Sequence, residues 1–411
     1  MDFDDTPEEA AYRAKARAWL DVNAPMGVQQ RRAREVETAE TLVVAKAWQA
    51  RKAEAGYACI PWSSDWGGPG GTPIQSVIFA QEEAKHSIPG NPFAIGLGMC
   101  VPTVATFADD AARKRFVGPA MRGDEIWCQL FSEPAGGSDV AAVRTRAERA
   151  PDGSGDWIVN GQKVWTTGAQ FSDFGIVLCR TDPDAPKHKG MTMFWLDMKS
   201  PGVEVRPIHQ MAGAAGFNEV FFTDVRIPDA QRLGPIGDGW KVSLFTLMNE
   251  RMAIGGESGA GWADFMDLAR QTPGLKGTSA LADQAVREKL ADWYVKSEGL
   301  KHTRNRTITA LSRGQTPGPE NSIGKLVSAT MMQDLAHAAV EMLDEYGIVA
   351  DGAATGANPI FHNSLMGAPG MRIAGGTDEI LRNIVAERVL GLPGDIRLDK
   401  GVAFKDIPTG R

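Results

Sequence analysis

The run Gln129-Leu130-Phe131-Ser132-Glu133-Pro134-Ala135-Gly136-Gly137-Ser138-Asp139 reads as a strand giving way to a Pro-Gly-Gly loop. Small residues there let backbone N–H groups and two hydroxyls approach a ligand closely. A second run, Asn160-Gly161-Gln162-Lys163-Val164-Trp165-Thr166-Thr167, ends a strand in a Trp followed by two Thr hydroxyls. That is a flat apolar wall beside short hydrogen-bonding groups. Together the two runs suit a flat ring edged with hydrogen-bonding atoms, such as a flavin. Each also has a plainer reading, the first as a tight turn and the second as a strand that buries its Trp in a core.

Order and spacing extend the pattern along the chain. Gly56-Tyr57-Ala58-Cys59-Ile60-Pro61-Trp62 and Trp66-Gly67-Gly68 precede the two runs. Asn218-Glu219-Val220-Phe221-Phe222-Thr223-Asp224-Val225-Arg226-Ile227-Pro228, Gly375-Gly376-Thr377-Asp378-Glu379-Ile380 and Ala386-Glu387-Arg388-Val389-Leu390-Gly391 follow them. In this order the segments resemble the acyl-CoA dehydrogenase family over nearly the whole chain. The resemblance implies loss of a proton alpha to a thioester carbonyl while a hydride leaves the beta carbon for FAD, yielding a trans-2-enoyl-CoA. It also implies that electrons pass on to an electron-transferring flavoprotein. By the same similarity Gln129, Phe131 and Ser132 lie along the isoalloxazine ring, Trp165 packs on it, and Thr166 and Thr167 flank it, with Thr167 at the N5 edge. Ser138 matches a position near the nucleotide part of the substrate. Glu133, Asp139 and Lys163 read only as local turn or surface residues.

Gly375-Gly376-Thr377 stands where a helix should begin, and a glycine-rich helix start offers free N–H groups and a positive dipole end to an anion. The resemblance puts the thioester oxygen on the Gly375 N–H, Gly376 beside the substrate, and Thr377 and Glu379 toward the cofactor. An ordinary helix start, with Thr377 as N-cap and Asp378 and Glu379 in the first turn, is the plainer meaning, and both can hold at once. Most of the family carries its glutamate base at the position of Gly375, which cannot take a proton. A minority branch, the isovaleryl- and long-chain-type enzymes, places it on another helix before an arginine, and this chain has Asn249-Glu250-Arg251 at the matching point. Glu250 shares a helix face with Leu247 and Ile254, an apolar stripe that would raise its pKa. The alternative is a solvated or ion-paired glutamate next to a structural Arg251, which the resemblance otherwise sets near the substrate.

Two family features that complete a neighbouring subunit's cofactor site are altered. Arg270-Gln271-Thr272-Pro273-Gly274 keeps the arginine but has Pro273 where an aromatic is usual, so Arg270 reads either as a cofactor ligand or as a surface residue. Asp344-Glu345-Tyr346-Gly347 replaces a glycine loop that passes the partner's adenosine, and carboxylates aimed at a diphosphate would repel it. The expected assembly is a homotetramer, or a mixed tetramer in which this chain is a low-activity or inactive partner subunit. An oxidase and a DNA-binding flavoprotein are further readings, the latter disfavoured by charge.

Positioning such groups takes a large α+β fold. The apolar spacing of Tyr12, Ala16, Trp19 and Leu20 predicts helices over 1–122, and short β-rich runs predict a β-barrel-like middle domain over 123–234 with a two-residue hairpin turn at Asn160-Gly161. A four-helix bundle follows over 235–395, with Leu281 to His302 and Ser322 to Tyr346 as its longest helices, then an extended tail over 396–411. A formal net charge of -7 in 411 residues argues against phosphate-backbone binding, so no nucleic-acid partner is expected. Four scattered cysteines and six histidines show neither disulfide nor zinc spacing, so no metal is expected. An acidic start and the lack of a long apolar run predict a cytoplasmic protein without a membrane span.

Overall fold

Thr6-Pro7 and Thr72-Pro73 start two helices in the same way. Each Thr accepts the N–H three residues on, at Glu9 and Gln75, whose side chains return to the Thr N–H, and Pro occupies the first turn, where no N–H is needed. These helices are α1 (Pro7–Asn23) and α3 (Pro73–Glu83), with α2 (Ala39–Glu54) between them. The computed structural model describes residues 5–26, 38–253, 259–274, 277–315, 318–349, 359–394, 396–397 and 399–408. On α1, Ala16 and Leu20 are fully buried against Trp48, Tyr57 and Phe79. Full burial of a Leu contributes about 1.5–3 kcal/mol. Two further helices, α4 (Val101–Phe107) and α5 (Asp110–Arg122), lead to the sheet.

Eight strands follow: β1 (Trp127–Leu130), β2 (Arg146–Arg149), β3 (Trp157–Thr167), β4 (Phe174–Arg180), β5 (Met191–Asp197), β6 (Val203–Ile208), β7 (Phe217–Ile227) and β8 (Arg232–Leu233). They form one mixed sheet in the order β6-β7-β3-β2-β4-β5-β8, with β1 added parallel to β4. From Gly175 to Arg180 every residue of β4 is buried, as its continuous apolar run requires of a strand covered on both faces.

Asn160-Gly161 is not a hairpin turn. The β2–β3 connection is the Gly-rich stretch 150–156, and Asn160-Gly161 lies inside β3, where pairing with β7 slips by one residue. Asp224 on β7 takes the left-handed conformation there (φ 49°), and Asn160 holds it by donating to the Asp224 carboxylate (3.0 Å) and accepting its N–H (2.9 Å). A Cβ on Gly161 would lie 2.7 Å from Thr145 Cα, so the glycine serves close backbone approach. Turns and bulges both need unusual φ values, which is why the dipeptide misleads. A second slip, between Lys163 and Thr166, puts the extra residue on β3 and restores the register.

Among the described residues the helical part after the sheet holds α6 (Gly239–Ala253), α7 (Trp262–Gln271), α8 (Gln284–Ser312), α9 (Ser322–Met342), α10 (Ile360–Met371) and α11 (Asp378–Ile384). Phe265, Trp293, Leu335, Ala339 and Phe361 form the core of this bundle. Helix α6 faces the other way: Val242 packs with Val104 and Met191, and Thr246 shares a hydroxyl hydrogen bond with Thr103 of α4 (2.9 Å). No described helix is long and apolar enough to cross a membrane.

Candidate active site

The first run leaves β1 at Leu130 and turns at Glu133–Gly136, whose backbones exchange two hydrogen bonds (3.1 and 3.0 Å). Gln129 and Ser132 are half-buried, Phe131 is buried, and Ser138 is exposed on the loop crest. Beneath the turn, Lys163 is wholly buried and donates to the Glu133 carboxylate (2.7 Å) and the Phe131 carbonyl (3.1 Å). Glu133 also accepts the N–H groups of Arg144 (2.6 Å) and Thr145 (2.9 Å). Burial alone would raise the Glu133 carboxyl, but the Lys163 charge and these hydrogen bonds hold it below its ordinary value. Glu133 does sit in a turn, but neither it nor Lys163 is a surface residue. The signal was the period-two spacing of Lys163 from the buried Trp157 and Val159. Asp139 is a surface residue, and its carboxylate meets Lys187 (2.8 Å).

The two runs are joined directly, since Val164 N–H donates to the Ser132 carbonyl (2.9 Å). At the β3 bulge Trp165 adopts φ 60°, a conformation that an aromatic residue takes at a cost, and it is 54% exposed with Phe217 edge-on to its ring (6.0 Å). Thr167 is exposed as well, whereas Thr166 turns inward, its hydroxyl buried without a partner and its carbonyl accepting from Asn218 (3.0 Å). An open aromatic wall held in a strained conformation, a hydroxyl two residues on and a small-residue loop alongside fit a flat, hydrogen-bonding ring.

Gly375 and Gly376 are both left-handed (φ 65° and 94°), and Thr377 caps α11 by accepting the Ile380 N–H (3.3 Å). Lys325 of α9 donates to the Gly376 carbonyl (2.6 Å), turning that peptide's oxygen toward the bundle. Among the described residues, nothing accepts the N–H groups of Gly375, Gly376 or Thr377. Three successive unspent donors are the kind of group that can bind an anion. Behind it the buried Asp378 pairs with Arg372 (2.6 Å). Glu379 is exposed, and its own N–H and the Thr377 hydroxyl hold its carboxyl below the ordinary range.

The backbone of Glu250 and Arg251 belongs to α6, the helix packed on the sheet, but both side chains and Ile254 lie outside the described residues. Leu247, on the face expected for Glu250, packs against the main core. Arg270 is exposed and paired with Asp267 (2.8 Å), and Asp344 opens a 3-10 turn at φ 52°. Among the described residues no hydrogen bond or ion pair joins the Gly375 turn to the loop after β1. Two cations that sequence reasoning passed over, Lys187 and Lys325, hold the ligand loop and the glycine turn respectively. A lone basic residue carries no spacing pattern to mark it.

Three family models match the chain: "Acyl-CoA dehydrogenase, N-terminal domain" over residues 6–124, the middle domain over 128–225 and the C-terminal domain over 237–390. The chain is 33% identical to acyl-CoA dehydrogenase IpdE1 of Mycobacterium tuberculosis, over 94% of the chain and 98% of that relative. It is 36% identical over 84% of its length to acyl-CoA dehydrogenase FadE34 of the same organism, but spans only 46% of that longer relative. Among solved structures, the ChsE4-ChsE5 complex from Mycobacterium tuberculosis matches with TM-score 0.75 and 25% identity over 96% of the chain and 100% of its own. Acyl-CoA dehydrogenase from Geobacillus kaustophilus shares the fold at TM-score 0.74 and 22% identity, over 95% of the chain and 100% of its own.

Proposed function

The chain belongs to the acyl-CoA dehydrogenase family, whose cofactor is FAD, and we propose that it oxidises an acyl-CoA thioester to the trans-2-enoyl-CoA and passes the electrons to an electron-transferring flavoprotein. The observation that carries this reading is the row of unspent N–H groups at Gly375, Gly376 and Thr377. Donors fixed in place before reaction favour the negative charge that develops on a thioester oxygen as its alpha carbon loses a proton. Bound FAD supplies the acceptor for the hydride that leaves the beta carbon. Trp165, Thr167, Gln129 and Ser132 hold the ring, and Ser138 faces the nucleotide part of the substrate. Glu250 takes the alpha proton, because Gly375 cannot, with Arg251 beside it. A base at Glu250 is compatible with long, branched or polycyclic acyl groups; one relative is named as long-chain specific and one structural neighbour is described as a steroid enzyme.

Replacement of Glu250 by Gln keeps size and hydrogen bonding but removes the base. In single-turnover flavin reduction by a good substrate, Glu250→Gln should slow the step by at least about a hundredfold while FAD and acyl-CoA still bind. Reduction at the parent rate would remove Glu250 from the role.

A second reading, a low-activity partner subunit of a mixed tetramer, draws on Pro273, on Asp344 to Tyr346 and on the pairing of Arg270 with Asp267 instead of a free guanidinium. The ChsE4-ChsE5 neighbour is itself a complex of two named chains. A flavin-to-chain ratio near one half in the purified assembly, with little turnover by this chain alone, would favour it.

A further inference from the structure

The segment 399–408 lies along the 183–187 loop beside the sheet. Phe404 N–H donates to the Ala185 carbonyl and Lys405 N–H to the Pro183 carbonyl (both 3.0 Å), and Ala403 forms a bridge pair with Pro186. Two side chains of this segment reach cations that hold the ligand loop. The Phe404 ring covers the Arg180 guanidinium at 3.7 Å, and Asp399 pairs with Lys187. Arg180 is buried and, among the described residues, has no carboxylate ion pair. It donates instead to the carbonyls of Ala141 (2.6 Å), Lys187 (2.7 Å) and Val143 (3.4 Å), the first and last of which end the ligand loop. Lys187, also buried, is shared between Asp399 and Asp139, the residue directly after Ser138.

From this geometry we infer that Asp399 and Phe404 are positioning residues for the Ser132–Val143 loop, acting through Lys187 and Arg180, so that the segment around them straps down the part of the site that receives the nucleotide end of the substrate. The inference rests on the function proposed above. A guanidinium among carbonyls keeps its hold on them best when an aromatic face excludes water from its open side. Loss of that cover lets the loop sample arrangements that do not bind, and affinity falls in proportion to the competent fraction. The chemical step lies elsewhere, so kcat is spared.

The test uses the full chain with Phe404→Leu, Phe404→Tyr and Asp399→Asn. Hydrogen exchange over residues 132–145 should quicken in Phe404→Leu and Asp399→Asn, and KM for an acyl-CoA should rise roughly three- to tenfold with kcat within about twofold. Phe404→Tyr, which keeps the aromatic face, should restore both. Unchanged exchange over that segment overturns the inference and leaves the dehydrogenase reading intact. Faster exchange with an unmoved KM overturns it too, by removing the loop from substrate binding. A parent chain that neither retains FAD nor oxidises any acyl-CoA defeats the proposed function separately, while the exchange data still decide whether the strap exists.

Discussion

Lys163 in the sheet and Lys325 in the helical bundle each hold a backbone carbonyl at a turn assigned to a ligand, but they do so in different surroundings. Lys163 is sealed between β3 and the loop after β1, with Glu133 at 2.7 Å as counter-ion and Phe131 as carbonyl partner. Lys325 lies in the first turn of α9 with its side chain 11% exposed, closest to the Gly376 carbonyl (2.6 Å), with Asp378 no nearer than 3.8 Å. Burial pulls the Lys325 ammonium below its usual value and Asp378 offsets only part of that. A sealed pair is costly to open, because either partner left alone is an uncompensated charge. Lys325 can be lost with less damage to the fold, since Asp378 keeps Arg372 as its partner at 2.6 Å. The loop after β1 is therefore coupled to the stability of the sheet, while the glycine turn depends less on its lysine.

Breaking the sheet pair should have the largest effect. Lys163→Met should cost about 3–5 kcal/mol in denaturant unfolding, and Lys163→Met with Glu133→Leu should recover most of it. A double variant no more stable than the single would mean that Glu133 matters for its bonds to Arg144 and Thr145 instead. Acid titration sharpens the point. Glu133 is held below its unfolded value, so its contribution is present above the ordinary carboxylate range and is lost as pH falls through the lower folded value. Parent unfolding free energy should decline below about pH 4.5, and the double variant should lose part of that dependence.

In the bundle the expected effect is smaller and of another kind. Lys325→Met should cost less in unfolding, about 1.5–3 kcal/mol for a charged donor to a carbonyl, and lower kcat/KM roughly tenfold because that donor orients the turn. Lys325→Arg should restore part of the rate. If Lys325→Met instead unfolds as readily as Lys163→Met, the contrast between the two lysines fails. Least of all should come from Arg270→Ala, which removes an exposed pair and should change stability by less than about 0.5 kcal/mol. Marked loss of FAD in that variant would show that the guanidinium leaves Asp267 to serve a neighbouring subunit.

The order of helices, sheet and bundle was legible because apolar periodicity and turn residues carry it, as Ala16 and Leu20 on α1 show. The capped glycine turn was legible for the same local reason, with Thr377 at the cap. What escaped notice was non-local. Asn160-Gly161 spells a turn in isolation and becomes a bulge only because β7 supplies Asp224 opposite it. Lys163 looks like a surface residue until Glu133, thirty positions earlier, is brought beneath the strand. The strap around Phe404 has no sequence pattern at all, since its partners Arg180 and Lys187 lie more than two hundred positions away.

The β3 bulge also bears on when the site comes into being. Trp165 is set by register against β7, and the carbonyl of Thr166 is held by Asn218, 52 residues further on. Closing so long a loop is slow compared with forming the helices around it. On a ribosome the aromatic wall therefore cannot be finished until β7 has emerged. The glycine turn and the strap wait for nearly the whole chain. FAD present during synthesis meets no completed pocket to fold upon, so cofactor uptake belongs to the last stage of maturation. Refolding followed by flavin fluorescence quenching should then show FAD capture lagging behind the recovery of helix signal.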